Sequence, residues 1–337
     1  MKKQFTLFIS VLAFLFAISG NAWAKSKKTV RIGNVNGSGS FNYSGNISIA
    51  KELGYLEEEF EKIGYAVEYY AFENGVYANE AFVAGDIDFA FIGDVPGITG
   101  LVNGIGTTWI GIDEVVTPIG IAVKKGSPIR KPQDFIGKTV SVAIGTNNYL
   151  LYANYFRDAG IAENQFETAN LNSANGRAAV ISGKVDAAIG NIIDLVPLEQ
   201  SGQIDIIFTT AERPEWHSQL LLVGRTKFLK SNPKTGVALF KALIRARQTA
   251  IKNPKKFYGA ISANQLKDYP DQAEKYLNPD KEFKNYIAKI TQNNITRAQN
   301  LQEFFVSIGR FQKKIDVSSF IDTSYYEKAS KELGITE

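Results

Sequence analysis

Four short stretches end apolar runs by placing glycine next to side chains that donate or accept hydrogen bonds. They are NVNGSGSFNYSGN (34–46), FENGVY (72–77), GDVP (93–96) and GTNN (145–148). Glycine lets another molecule approach the backbone, and Ser, Thr and Asn supply hydrogen bonds. Where a helix follows, its first N–H groups lack partners and carry partial positive charge, which suits an anion. The same residue types are preferred helix N-caps, so any one turn has a purely structural use. Four of them, spread over both halves, describe a binding site together. The first also carries Phe41 and Tyr43, which a loop can offer as a ligand wall.

The chemistry that these residues support is binding, not covalent catalysis. The chain has no cysteine and one histidine, His217. A Ser-His-Asp triad could draw only on that imidazole, and GSGSF is not a nucleophile elbow. No His or carboxylate pair has metal-ligand spacing. GNVNGSGS lacks the G-x-G-x-x-G spacing of a dinucleotide turn. No cofactor and no metal is therefore expected. His217 follows Trp216 and is expected to be structural.

The elements that must hold these turns alternate. TVRIGNV reads as a strand, NISIAKELGYLEEEF as an amphipathic helix, AVEYYAF as a strand, YANEAFVAG as a helix and DFAFIG as a strand. A second run begins at KTVSVAI and follows the same order. AGDIDFAFIGD in the first half matches SGKVDAAIGN, ending at Asn191, in the second. Strand–helix alternation predicts α/β lobes with mostly parallel sheets. In such sheets, ligands bind beyond the carboxyl ends of the strands. After SQLLLVGRTKFL, read as a strand, the pattern is helical to the end. The lobe crossings are expected near 117–123 and 216–222.

A length of 337 residues suggests two domains, and a net charge of +4 gives no basic stripe for nucleic acid. The chain opens with Lys2 and Lys3, an apolar run and Ala22-Trp23-Ala24. That run, about 14 residues, is shorter than a membrane span and has the form of a signal peptide, residues 1–24. With no lipid-carrying cysteine, a soluble periplasmic protein is expected.

Taken together, the sequence resembles the periplasmic solute-binding proteins of ABC importers for aliphatic sulfonates, taurine and nitrate. The resemblance rests on VRIGNVNGSGS with AKELGYLEEEF, on FVAGDIDFAFIGDVP, on VKKGSPIRKPQDFIGKTVSVAIGTNNYLLYANYFRDAGI and on DVSSFIDTSYYEKASKELG. It implies the two-lobed type II binding-protein fold, with lobe 1 from residues 25–118 and 221–337 and lobe 2 from 119–220. It implies a monomer that closes on a small solute and passes it to a permease and ATPase. The ligand loops fall on Ser38, Ser40, Asn74, Gly75, Gly93, Asp94, Thr146 and Asn147, with Asn148 and Asn191 at the neighbouring turns. The chain departs from the family pattern at Gly145-Thr146-Asn147-Asn148-Tyr149 and at Asn191-Ile192-Ile193, so the solute itself stays open. Asp94 has two uses: to bind N–H groups at a helix start, or to face the cleft and select a cation. The alternatives are an enzyme on the same fold, resembling chorismate dehydratases or pyrimidine synthases, and a sensor partner that presents its ligand to a receptor.

Overall fold

The computed structural model describes residues 27–35, 43–213 and 216–335; the expected signal peptide lies outside them. The strands are β1 (Lys28–Val35), β2 (Tyr65–Phe72), β3 (Phe89–Gly93), β4 (Thr107–Thr117), β5 (Ile119–Lys124), β6 (Thr139–Ser141), β7 (Glu167–Ala169), β8 (Ala187–Asn191), β9 (Ile204–Thr209), β10 (Ser218–Arg225) and β11 (Tyr286–Ala288). They form two sheets, ordered β11-β4-β10-β3-β1-β2 and β7-β6-β8-β5-β9. Strands β3 and β8 are buried almost throughout, as expected of central strands covered by helices on both faces.

Helices α1 (Asn46–Glu52), α2 (Tyr55–Glu61), α3 (Gly75–Ala84) and α4 (Asp94–Val102) flank the first sheet. Helices α5 (Asn147–Asp158), α6 (Ser173–Ser182) and α7 (Ile192–Gln200) flank the second. The later helices are α8 (Thr226–Ser231), α9 (Pro233–Lys252), α10 (Pro254–Ile261), α11 (Pro270–Leu277), α12 (Gln292–Ser307) and α13 (Ser324–Glu332). The apolar stripe of α9 packs on α1, α2 and α13 and fills the core beside the first sheet.

The α/β two-lobe class holds, but the sheets are mixed rather than mostly parallel. β1 runs parallel to β2 and β3, whereas β10 runs antiparallel to β3 and β4. β6 runs parallel to β7 and β8, whereas β5 runs antiparallel to β8 and β9. The reversals come from the connecting strands. β4 passes through Pro118 straight into β5 of the other sheet, and the chain returns between β9 and β10. The two passages lie side by side, with Ser218 paired to Thr117 and the Ile119 N–H donating to Thr210 Oγ1 at 3.2 Å.

Three local readings change. NISIAKELGYLEEEF is two helices, because Gly54 takes a left-handed φ of 70° between them. The strand in SQLLLVGRTKFL stops at Arg225, where α8 begins. The C-terminal part is not wholly helical, since β11 adds an edge strand against β4. Three residues are too few to show an alternating pattern.

The internal parallel is geometric as well as sequential. α3 and α6 end on left-handed Gly85 and Gly183. Each then leads to an aspartate that clips the neighbouring strand. Asp88 gives its N–H to the Arg31 carbonyl at 2.8 Å and accepts the Arg31 N–H at 3.0 Å. Asp186 does the same with Thr139, at 2.9 Å both ways. β3 and β8 follow, and each runs directly into a helix.

Candidate binding cavity

The N-terminal ends of α3, α4, α5, α6 and α7 meet at one cavity of about 80 Å³ between the two sheets. Asn74 and Gly75 come from α3, Gly93 and Pro96 from α4, and Thr146, Asn147 and Asn148 from α5. Asn172 and Ser173 come from α6, and Asn191 precedes α7. Thr117 and Leu220, one on each connecting strand, complete the wall with Val35, Glu73 and Ala143. Each helix start carries roughly half a positive charge, and no Lys, Arg or His is among the described residues lining the cavity. A water needs roughly 10–15 Å³ in such a measure, so the space suits a solute of only several non-hydrogen atoms.

Sequence explains why the helices begin here. Asn74 caps α3, its Oδ1 accepting from the N–H groups of Val76 and Tyr77 at 2.9 and 3.3 Å. Asn172 caps α6 through the Asn175 N–H at 2.8 Å. Gly75 has no room for a side chain, since a Cβ would sit 2.3 Å from Pro96. Gly93 has an ordinary φ of −60°, so it is needed for space and not for torsion. A Cβ there would lie 2.3 Å from Asn147 Oδ1. That asparagine joins the two sides: Oδ1 accepts from the Val95 N–H at 3.2 Å, and Nδ2 donates to the Gln219 carbonyl at 3.3 Å. Asn148 donates to Ser173 Oγ at 3.2 Å and so links α5 to α6.

Of the residues singled out in the sequence, Asn74, Gly75, Gly93, Thr146, Asn147, Asn148 and Asn191 come together around this cavity. Tyr43 does not. It is buried at the edge of the first sheet, where its hydroxyl donates towards the carbonyls of Ile32 and Tyr70 at 2.9 and 2.7 Å. Its ring lies beneath Lys51 instead of facing a solute. Ser38, Ser40 and Phe41 lie outside the described residues. Asp94 also turns away from the cavity. Its carboxylate accepts from the N–H groups of Val95 and Gln219 at 3.0 and 3.1 Å, with Arg297 at 3.9 Å. Burial raises its pKa to about 6, against the pull of Arg297 and of those N–H groups. Sequence reasoning missed Glu73, Asn172 and Ser173. The first stood inside a quoted turn, and the others repeat the Asn-rich helix start.

A second chamber of about 50 Å³ adjoins the first and shares Val35, Thr117, Asn191 and Leu220 with it. It is lined further by Ser44, Gly45, Glu114, Ile193, Ile261 and Leu277. Burial, then the neighbouring Asp113, pushes Glu114 up to about 8. Burial pushes Asp113 to about 8 as well. The Asn46 N–H acts against that shift without completing a hydrogen bond to either oxygen. A larger polar groove, about 500 Å³, lies between α5 and α12 and contains Arg157, Arg213 and Arg297. These arginines already face Asp158 or Asp94, so size alone does not make the groove the anion site.

The NMT1/THI5 like family matches residues 42–257. The chain belongs to that family. Its relatives include proteins named for solute binding. The putative aliphatic sulfonates-binding protein of Bacillus subtilis (strain 168) is 26% identical over 338 residues, covering 98% of each chain. The taurine-binding periplasmic protein of Escherichia coli (strain K12) is 28% identical over 196 residues, 57% of this chain and 59% of that one. Among solved structures, the alkanesulfonate-binding protein SsuA from Xanthomonas axonopodis pv. citri, bound to MOPS, superposes with a TM-score of 0.74 at 18% identity, covering 89% of this chain and 99% of that one. The fold is the two-lobed periplasmic-binding-protein fold. It also serves catalysis: the desulfurization enzyme DSZB superposes with a TM-score of 0.69 at 13% identity, covering 91% of this chain and all, 100%, of that one. Fold likeness therefore does not choose between binding and turnover.

Proposed function

We propose that this chain is the solute-binding component of an ABC importer and that it holds a small organic oxyanion, of the aliphatic sulfonate class, between two lobes. The observation that carries this reading is the convergence of five helix N-termini on one cavity whose described lining contains no cationic side chain. Such a site holds an anion through N–H dipoles and hydroxyl or amide groups. It can release the anion again, because no full counter-charge is buried with it. The names of the relatives support the same solute class.

In this reading residues 1–24 direct export to the periplasm and are removed. Residues 25–118 and 221–337 form one lobe and 119–220 the other. The joint is at Pro118 and in the returning segment before β10. Closure between lobes is a known mode of solute capture, and the closed form is what a permease would engage.

A thermal-shift screen of the purified protein against ethanesulfonate, 1-propanesulfonate, taurine, nitrate, phosphonates, aromatic acids and pyrimidines tests the reading. At 100 times its Kd a ligand adds about 2.7 kcal/mol of stability. Stabilisation by a sulfonate, with the solute recovered unchanged by mass spectrometry, is the expected result. Stabilisation only by pyrimidines or aromatic acids would overturn the solute class, and recovery of altered solute would make the protein an enzyme.

A further inference from the structure

Asn293, Thr296, Arg297, Asn300, Leu301 and Phe304 follow helical spacing along α12 and line one wall of the larger groove. Leu150, Asn154 and Arg157, spaced in the same way on α5, line the other. α12 packs on α4 beside the first sheet, whereas α5 packs on β8 of the second, so the groove runs between elements of both sheets. Its apolar lining is well buried, with Leu150, Leu301 and Trp216 each 6% exposed. The volume, about 500 Å³, lies in the ordinary range of small-molecule pockets, roughly 300–1,000 Å³.

Size alone does not assign a ligand, but the donors here are unequally spent. Arg157 donates two hydrogen bonds to Asp158, and Arg213 donates a third. Arg297 has no such acceptor. Its nearest acid, Asp94, is 3.9 Å away, and both Asp94 oxygens already accept N–H groups, from Val95 and Gln219. The Arg297 side chain is 24% exposed, and burial works against its charge. On the facing helix Asn154 is 6% exposed, and its side-chain amide has no hydrogen-bond partner among the described residues. Asparagine is a poor residue for a helix interior, so local structure does not explain it there. A buried donor without an acceptor is costly. A guanidinium fork beside an amide matches a carboxylate. Arg157, Arg213 and Arg297 face only Asp94 and Asp158 in the groove, so it suits one added negative charge better than two. We propose that the groove is a second binding site, separate from the solute cavity, for a monocarboxylate with an apolar body. The head meets Arg297 and Asn154, and the body lies on Leu150, Leu301 and Trp216. Such an occupant bridges α5 and α12.

Titration calorimetry of the purified protein with octanoate tests this, with octan-1-ol as the probe that keeps the chain and lacks the carboxylate. Octanoate should bind at one site, and octan-1-ol at least about tenfold more weakly. Arg297→Gln should weaken octanoate by roughly 10- to 150-fold, the loss of a hydrogen bond to a charged group. Asn154→Ala should weaken it by roughly 2- to 10-fold, the loss of a neutral one. Arg297→Lys, which keeps the charge without the fork, should fall between the native protein and Arg297→Gln. An excess of 1-propanesulfonate, the probe of the solute cavity, should leave octanoate binding in place. Where Arg297→Gln does not fold, as read by circular dichroism, Asn154→Ala and the octan-1-ol comparison decide. No binding at millimolar octanoate overturns the inference, as does equal affinity for octanoate and octan-1-ol. Affinity untouched by both the Arg297→Gln and Asn154→Ala changes overturns it too. Displacement of octanoate by 1-propanesulfonate puts the probe in the solute cavity and overturns it as well, leaving the sulfonate reading standing.

Discussion

Asp113 ties the stability of the empty protein to pH. In an unfolded chain Asp and Glu ionise near 3.9 and 4.3, whereas in the fold burial raises Asp113 and Glu114 to about 8. The folded state therefore binds more protons between those limits. Stability is complete below about pH 4 and is lost as pH rises through about 8. Asp94 and Asp194, both raised to about 6 by burial, act in the same direction at lower pH. Calorimetry of the ligand-free protein should show the melting temperature falling steadily from about pH 5 to 9. Asp113→Asn, neutral at every pH, should make that decline shallower. A melting temperature that rises over the range would mean that these acids already meet a cation in the fold. Such a role was not legible in the sequence: "IDEVV" reads as an ordinary strand end, and only the shifted register of β4 against β10 shows the pair buried beside a chamber.

At the scale of the element, the helix starts are the working parts of the proposed site. Asn74→Asp separates their two uses. Aspartate caps about as well as asparagine and interacts well with the positive end of α3, so the melting temperature should hold or rise slightly. The new carboxylate lines the anion cavity, so affinity for a sulfonate should fall by at least roughly tenfold, about 1.4 kcal/mol. Unchanged affinity in calorimetry would place the anion elsewhere. The starts of α3, α4, α5 and α7 were legible because Asn, Gly and Asp after an apolar run are local signals. The Asp88 and Asp186 clips were legible as a repeated pattern before their geometry was known. Asp94 was only half legible. Its type fits a helix start, but its partners Gln219 and Arg297 lie far along the chain and only folding brings them near. Tyr43 misled because a loop aromatic looks the same in sequence whether it faces a solute or two backbone carbonyls.

At the scale of the whole molecule, the two sheets are joined by more than their connecting strands. Arg310, just beyond α12, donates to the Tyr149 hydroxyl on α5 at 3.0 Å, Phe305 packs on the same ring, and Arg157 of α5 lies over Phe304. These contacts favour the arrangement seen here even with no solute bound. Tyr149→Phe removes the hydroxyl that accepts from Arg310 and donates to Glu163 at 3.1 Å. Small-angle scattering should then show a larger ligand-free radius of gyration and an unchanged ligand-bound one. A ligand-free value equal to the native one would show that the contact travels with a single rigid body.

Thr117 and Leu220 give the joint between the sheets a second meaning. They lie on the two strands that carry the chain across, and they also form part of the floor of both chambers. In the proposed reading, a solute resting on that floor touches the joint between the lobes, not a pocket remote from it. If the halves move apart there, occupancy would stiffen the very torsions that open them, and tight binding and slow opening would become one property. A membrane partner that docks on the outer faces could read whether cargo is aboard from the spacing of those faces alone, without ever touching the cargo.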